Sequence, residues 1–286
     1  MREAAAVLRD SGISARLVRT SGPDTAIELA RRAVSQGDDL LLVCGGDGTI
    51  NEVVNGMTPG NLALGILPGG TANIAGRELG LPLDPVRAAR QIPTWSSRRI
   101  ALGLVTWPAA ALANAPAVQG GRRYFLSVAG LGFDAYTIHK LSLGFKRSCG
   151  AAAYFWEGLR QTFRYTFPRF VCEIDGRKHN GTFAVVLRAN RYGGWLRMAP
   201  NANIFEPRFS LCLFKSRHRA RYFLYAAAVL VRQHLRLRDV DLVQAQEIRC
   251  ATDGETPIYF ELDGELVGQL PAKLEIVPDA LTLLVP

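Results

Sequence analysis

The stretch Asp39-Leu40-Leu41-Leu42-Val43-Cys44-Gly45-Gly46-Asp47-Gly48-Thr49-Ile50-Asn51-Glu52 decides how the first third of the chain is read. Four aliphatic residues in a row, ended by two glycines, predict a strand over 39–44 that is buried on both faces, as in a parallel sheet. Glycines at the strand end let backbone N–H groups approach an anion without Cβ clashes and tolerate positive φ. A helix starting at the loop adds free N–H groups and the positive end of its dipole. Thr49 contributes a hydroxyl donor. Asp47 is unexpected beside an anion unless a divalent cation or a substrate hydroxyl needs it, so it reads as a Mg²⁺-linked acid. Taken alone, Gly45-Gly46-Asp47-Gly48 is equally readable as a tight turn without a ligand.

Moving outward, Leu67-Pro68-Gly69-Gly70-Thr71-Ala72-Asn73 repeats the design: apolar strand (62–67), glycine turn, threonine, helix ending near Gly80. Two such loops at the carboxyl ends of parallel strands are placed to share one ligand. Neither carries the Gly-Lys-Ser/Thr of a P-loop or a dinucleotide G-x-G-x-x-G. Upstream, 2–10 reads as a helix, 13–18 as a strand, and Asp24 or Thr25 as the cap of a helix over 26–35. This alternation predicts a parallel α/β domain over residues 1–98.

After residue 98 the texture changes. Short strand-like runs at 100–105, 125–129, 170–174, 183–187, 209–214, 247–251, 258–262 and 273–277 are separated by turn residues. Asp175-Gly176, Asp253-Gly254 and Asp263-Gly264 are hairpin-type punctuation. Helical segments over 148–163 and 217–235 interrupt the rhythm. The expected second domain is an antiparallel β-sandwich over 99–286, its last residues able to return to the first domain. The uncharged run 100–121 contains two prolines and an asparagine, which favours a strand followed by a loop over a membrane span.

The 286 residues are 48% hydrophobic and 21% charged, normal for a globular chain and unlike a disordered one. Five cysteines without a C-x-x-C pair argue for a reducing compartment, without a disulfide framework or a zinc ribbon. The four histidines are scattered, against a His-rich metal centre. A net charge of +9 favours an anionic partner: nucleotide, nucleic acid or acidic membrane. No helix-turn-helix, zinc-finger or ribonucleoprotein motif accompanies the charge, which disfavours nucleic acid.

Several stretches in order carry a resemblance: GGDGTINEVVNG from Gly45, LGILPGGTANIAGRELGLP from Leu64, AGLGFDA at 129–135, ELDGELVGQLPAKLEIVPDAL from Glu261, and the final LLVP. The chain resembles the bacterial diacylglycerol kinase-like lipid kinases, which share the GGDGT loop with sphingosine, ceramide and NAD kinases. The resemblance implies an α/β nucleotide domain followed by a β-sandwich. It implies that ATP is held by Thr20, Gly45, Gly46, Asp47, Gly48, Thr49, Ile50, Asn51, Gly70 and Thr71, with Mg²⁺ as cofactor. Glu265 falls at the catalytic carboxylate. A base beside the hydroxyl suits a weakly nucleophilic lipid alcohol, so Glu265 reads as general base and Asp47 as a second catalytic residue holding Mg²⁺. Spacing alone leaves Glu265 as a solvated turn carboxylate.

The pattern departs in three places. Family members normally begin with an additional strand and an Asn-Pro-x-Ser-Gly loop, whereas Met1 falls on the following helix; a strand that pairs with the sheet is therefore expected to be missing. Ala101 stands where an acid is common, with Asp84 as a nearby carboxylate. Phe205-Glu206-Pro207 replaces an Asp-Asp-Gly turn, leaving Glu206 as one carboxylate for a structural metal.

Arg217, His218, Arg219, Arg221, Arg232, His234, Arg236 and Arg238 bracket the apolar run 222–231. Lys146, Arg147, Arg160, Arg164 and Arg169 are interleaved with Tyr154, Phe155, Trp156, Phe163, Tyr165 and Phe167. Such surfaces suit docking on anionic lipid; two ordinary helices with solvated arginines are the competing reading. The resulting expectation is an ATP-dependent kinase of a lipid hydroxyl such as that of diacylglycerol, cytoplasmic and peripheral to the inner membrane face, with a strand edge able to pair with a second copy. The alternatives are a lipid- or nucleotide-binding homologue without catalysis and an NAD-kinase-type enzyme.

Overall fold

The computed structural model describes residues 2–109, 120–140, 158 and 160–286. The chain divides into two compact units, residues 1–102 with 277–286, and residues 103–276. Most of the helix expected over 148–163, with Lys146, Arg147, Tyr154, Phe155 and Trp156, lies outside the described residues, as does part of the loop after Trp107.

In the first unit, β1 (Leu40–Gly45) pairs in parallel with β2 (Ala63–Pro68), from Leu40 opposite Ala63 to Gly45 opposite Pro68. The far end of β16 (Ala272–Val285) takes the other side of β2, Thr282 opposite Ala63. β2 is thus central, and Leu64, Ile66 and Leu67 are buried. β1 is an edge strand among the described residues, so only Val43 is fully buried and the expected two-sided burial is not realised. Residues 13–18 form no strand. The Ile13 N–H closes the end of α1 by donating to the Leu8 carbonyl at 2.9 Å, no described strand pairs with the residues that follow, and Leu17 and Val18 stay exposed.

Helices α1 (Arg2–Asp10) and α5 (Pro85–Gln91) pack together, as do α2 (Thr25–Gln36) and α3 (Asp47–Met57). The last pair meets closely at Gly56, where a Cβ would lie 2.3 Å from the Ile27 carbonyl oxygen. Neither Asp24 nor Thr25 caps α2 as expected. Asp24 makes no side-chain cap, and Thr25 Oγ1 donates to the Gly22 carbonyl at 2.6 Å. Buried Glu52 caps from α3 instead, accepting the Ala26 N–H at 3.1 Å. Asp84 caps α5, accepting the Arg87 N–H at 2.8 Å.

The second unit is a sandwich of antiparallel strands. One sheet runs β12 (Val240–Ala245), β11 (Phe209–Phe214), β8 (Phe183–Leu187), β5 (Val128–Gly132), β14 (Tyr259–Leu262), β15 (Glu265–Gln269). The other contains β7 (Arg177–Gly181), β6 (Phe170–Ile174), β13 (Glu247–Thr252) and the start of β16, with β4 (Gly121–Phe125) beside β3 (Ser96–Trp107). Alternate residues of both sheets, among them Phe125, Leu131, Phe170, Val186, Phe209, Leu211, Ile248 and Phe260, form one core.

Asp175-Gly176 and Asp263-Gly264 are tight hairpin turns with positive φ at both residues, +49° and +73°, +49° and +89°. Asp253-Gly254 is not, because β13 and β14 belong to different sheets. The run 125–129, expected as one strand, is two: it breaks at Leu126-Ser127 as the chain changes sheet. Helix α6 (Phe133–Lys140) follows β5, and α7 (Arg219–Leu230) follows β11.

Candidate active site

In the first unit the level ends of β1 and β2 bring the two glycine loops together. Gly69 N–H donates to the Gly45 carbonyl at 2.9 Å. A Cβ on Gly70 would lie 2.4 Å from Gly46 Cα, so the loops touch backbone to backbone and no side chain fits between. Gly45 is required too, because its Cβ would meet Thr49 Cβ at 2.8 Å. The second loop is closed on itself by Asn73, held at φ +47°. Its Nδ2 donates to the Gly70 carbonyl at 2.7 Å, and its Oδ1 accepts the Gly70 N–H at 2.8 Å.

Asp47 stitches the loops: its Oδ1 accepts the Ile74 N–H at 2.8 Å, at the start of α4 (Ile74–Glu78). A carboxylate at this loop is therefore already explained in part by capping, a role the sequence reading did not consider. Asn51 is wholly buried, and its carbonyl accepts from Asn55 Nδ2 at 2.8 Å. Ile50 is a core residue, which leaves its backbone N–H on the Gly46 carbonyl. Gly70 and Thr71 are exposed. Thr20 lies on the exposed segment 14–20 and, among the described residues, makes no hydrogen bond to either loop.

Mg²⁺ carried by nucleotide phosphates asks for only one or two protein carboxylates. Asp47, beside the joined loops, fits that minimal role. Among the described residues no group of three or more His, Cys, Asp or Glu side chains is placed to hold a metal. Glu206 is paired with Arg208 at 2.5 Å, and Ala101 is buried in β3.

In the second unit Glu265 opens β15 directly after the Asp263-Gly264 turn. Its Oε2 is 2.8 Å from Arg123 Nη2 on β4, and the side chain is 34% exposed. The turn is held from below by groups that the sequence reading left unassigned. Asp263 accepts the N–H groups of Leu126, Ser127 and Val128 at 2.8, 2.9 and 3.0 Å. Buried Arg188 grips the same crossing through the Leu126 carbonyl at 3.2 Å and reaches the Ile204 carbonyl at 2.7 Å. Burial lowers the Arg188 guanidinium to about 10, and the nearby Asp263 charge opposes that fall.

Glu261, one strand residue inside the turn, accepts the Gly264 N–H at 2.6 Å. It shares a buried pocket with Asp134, the first-turn acid of α6. A Cβ on Gly130 would lie 2.0 Å from Asp134 Oδ2 and 2.7 Å from Glu261 Oε1, so only glycine leaves room for the pair. Tyr192 on the β9–β10 hairpin (Arg191–Tyr192, Leu196–Arg197) donates its hydroxyl to Asp134 Oδ1 at 2.5 Å. Burial, relieved by bonds from Tyr192 and Glu261, pushes Asp134 up to about 6. Burial and the neighbouring Asp134 raise Glu261 well above the usual carboxylate range. The signal that would have found Glu261 is a carboxylate between the apolar strand residues Phe260 and Leu262.

Chemically, the first unit offers a backbone cradle for phosphates. The second offers a half-exposed carboxylate on a rigid turn, backed by protonatable buried acids. Residues 1–105 match the family described as diacylglycerol kinase catalytic domain, and residues 127–285 match the YegS C-terminal NAD kinase beta sandwich-like domain. The chain is 28% identical over 253 residues to a diacylglycerol kinase of Bacillus subtilis (strain 168), covering 87% of this chain and 78% of that one. It is 27% identical over 266 residues to a diacylglycerol kinase of Mycobacterium tuberculosis (strain ATCC 25618 / H37Rv), covering 91% and 81%. A crystal structure of a diacylglycerol kinase from Bacillus anthracis str. Sterne shares the fold at TM-score 0.70 and 18% identity, covering 100% of this chain and 91% of that one. A second crystal structure from the same organism reaches TM-score 0.78 at 19% identity, covering 100% and 90%.

Proposed function

The chain is a kinase of the diacylglycerol kinase-like family, and from that premise we propose that it transfers the γ-phosphate of ATP to the hydroxyl of a lipid, diacylglycerol or a close relative. The observation that carries the reading is the carboxylate of Glu265, presented half-exposed on a hairpin turn that Asp263, Glu261 and Arg188 hold rigid. A lipid alcohol needs a positioned base more than it needs further binding energy.

The glycine loops hold the nucleotide phosphates on the N–H groups at the start of α3, with Thr49 and Thr71 as hydroxyl donors. Mg²⁺, when bound with ATP, neutralises phosphate charge, and Asp47 is the side chain that would help hold it. Glu265 accepts the proton of the lipid hydroxyl while the hydroxyl oxygen bonds to the γ-phosphorus. The bond from that phosphorus to the bridging β,γ-oxygen breaks, and ADP leaves with the electron pair. Arg123 orients the carboxylate of Glu265 through their ion pair.

The test is incubation with radiolabelled ATP, Mg²⁺ and mixed micelles of diacylglycerol, monoacylglycerol, ceramide or sphingosine, with Glu265→Ala alongside. Organic-phase label that depends on Glu265 is the expected result. Absence of label from every lipid, or label in NAD supplied without lipid, would overturn it.

A further inference from the structure

Helix α7 breaks the usual rule for surface helices, which place polar residues toward water. Its inner face is fully engaged. Tyr222 stacks on Phe167, ring centroids 3.8 Å apart, and its hydroxyl is 2.7 Å from Thr182 Oγ1. The Tyr225 hydroxyl donates to Asp239 Oδ2 at 2.6 Å, and Ala228 and Val229 are buried. The helix is thus anchored without its outer face, yet that face is apolar: Phe223, Leu224, Ala226, Ala227, Leu230 and, just past the helix, Val231 are all exposed. Exposed Phe163 extends it, its ring 5.5 Å from that of Phe223.

Cations rim this strip. Arg217 and Arg219 stand at one end; Arg232, Arg236 and Arg238 follow the other; Arg160 and Arg164 flank Phe163. All are exposed. No Asp or Glu occurs between residues 216 and 238. Arg221 and His234 are the exceptions among the basic residues. Arg221 turns to Asp239 at 2.7 Å, and His234 is buried with Nε2 2.9 Å from the Met198 carbonyl.

We propose that α7 with Phe163 is the surface by which this protein lies on an anionic bilayer, the apolar strip in the headgroup–acyl boundary and the arginines on lipid phosphates. Such a helix lies in the interface plane, and none of the helices, among the described residues, is long and apolar enough to cross a membrane. Charge complementarity selects the occupant, because a neutral apolar partner would gain nothing from the cationic rim. An arginine near such a surface contributes about 1 kcal/mol, or roughly a fivefold gain in partitioning. The assignment deepens the lipid-kinase reading, and rests on it for the expectation that the substrate resides in a bilayer.

The test is co-sedimentation of the full chain with vesicles of phosphatidylcholine alone or of equal phosphatidylcholine and phosphatidylglycerol. Binding to the mixed vesicles, weakened by salt, is expected. F223S/L224S/L230S and, separately, R217Q/R219Q/R232Q should each lose tenfold or more, with transfer to a water-dispersed short-chain diacylglycerol unchanged. The arginine variant decides the question if the serine variant fails to fold. Lack of wild-type binding, variants that bind like the wild type, or a serine variant that converts a dimer to a monomer in sedimentation velocity would each overturn the assignment. Vesicle binding without phosphate transfer to any lipid would leave this surface standing and remove the kinase reading instead.

Discussion

The carboxylates of the second unit divide by environment. Glu265 is half-exposed and ion-paired, while Glu261 and Asp134 are buried together. If Glu265 is the general base, Glu265→Gln keeps shape and bonding but cannot take a proton, and kcat should fall roughly 10²–10⁴-fold. The melting temperature should hardly move; a variant that melts early would assign the loss to folding. The buried pair makes a separate prediction about pH. Asp134 is raised from 3.8 to about 6, and Glu261 is raised from 4.5. The folded state therefore keeps protons that the unfolded chain releases. Both contributions to stability are complete below about pH 4; that of Asp134 is lost as pH rises through about 6, and that of Glu261 is lost as pH rises from its ordinary value toward its raised one. Glu261→Gln retains an acceptor for the Gly264 N–H and removes one titrating group. Its melting temperature should fall less than the wild type's between pH 4 and 7, and an identical slope would refute the assignment.

At the scale of elements, the close approach of the two strand–loop–helix units in the first unit sets the geometry of the paired glycine loops, which the proposed function makes the seat of the nucleotide phosphates. Gly70→Ala places a methyl 2.4 Å from Gly46 Cα, against backbone that has no flexible end to swing away. The loops must part, the Asn73 clasp and the Asp47–Ile74 bond must loosen, and ATP affinity measured by calorimetry should drop at least tenfold. Overpacking of this kind costs about 1–3 kcal/mol of stability, which thermal unfolding will register. ATP affinity equal to wild type would show that the two loops do not act together.

For the whole molecule the decisive feature is that the final residues complete the first unit. β2 is flanked by β1 on one side and by the end of β16 on the other, where Leu281 and Leu283 are buried. A fragment comprising residues 1–102 therefore leaves β2 with an unpaired edge. Expressed alone, the fragment should be cleaved rapidly in limited proteolysis under conditions that leave the full chain intact. Equal resistance would mean that the last strand is dispensable to that unit.

How much of this was legible beforehand varies by element. The glycine loops, their flanking strands and helices, and the strands 170–174, 183–187 and 209–214 could be read from the chain because each depends on neighbours within a few residues: an apolar run, a glycine, a helix start. Local chemistry leaves Glu265 a turn carboxylate, and only the resemblance of the surrounding segments to a family singles it out. Contacts between distant segments were not legible. Glu52 caps a helix whose first turn lies 26 residues earlier; Asp263 folds the crossing at 126–128, which ends one strand and starts another; Glu261 and Asp134 meet only because Gly130 leaves room; and residues 13–18, strand-like in composition, pair with no strand among the described residues. Sequence alone determined most of the kinds of element and where the two glycine loops fall, since backbone sterics and periodicity act locally. Tertiary structure alone decided which carboxylates cap a helix, which are buried and so hold their protons more tightly, and which stand half-exposed, because burial and hydrogen-bond partners belong to the packed chain and not to any stretch of it.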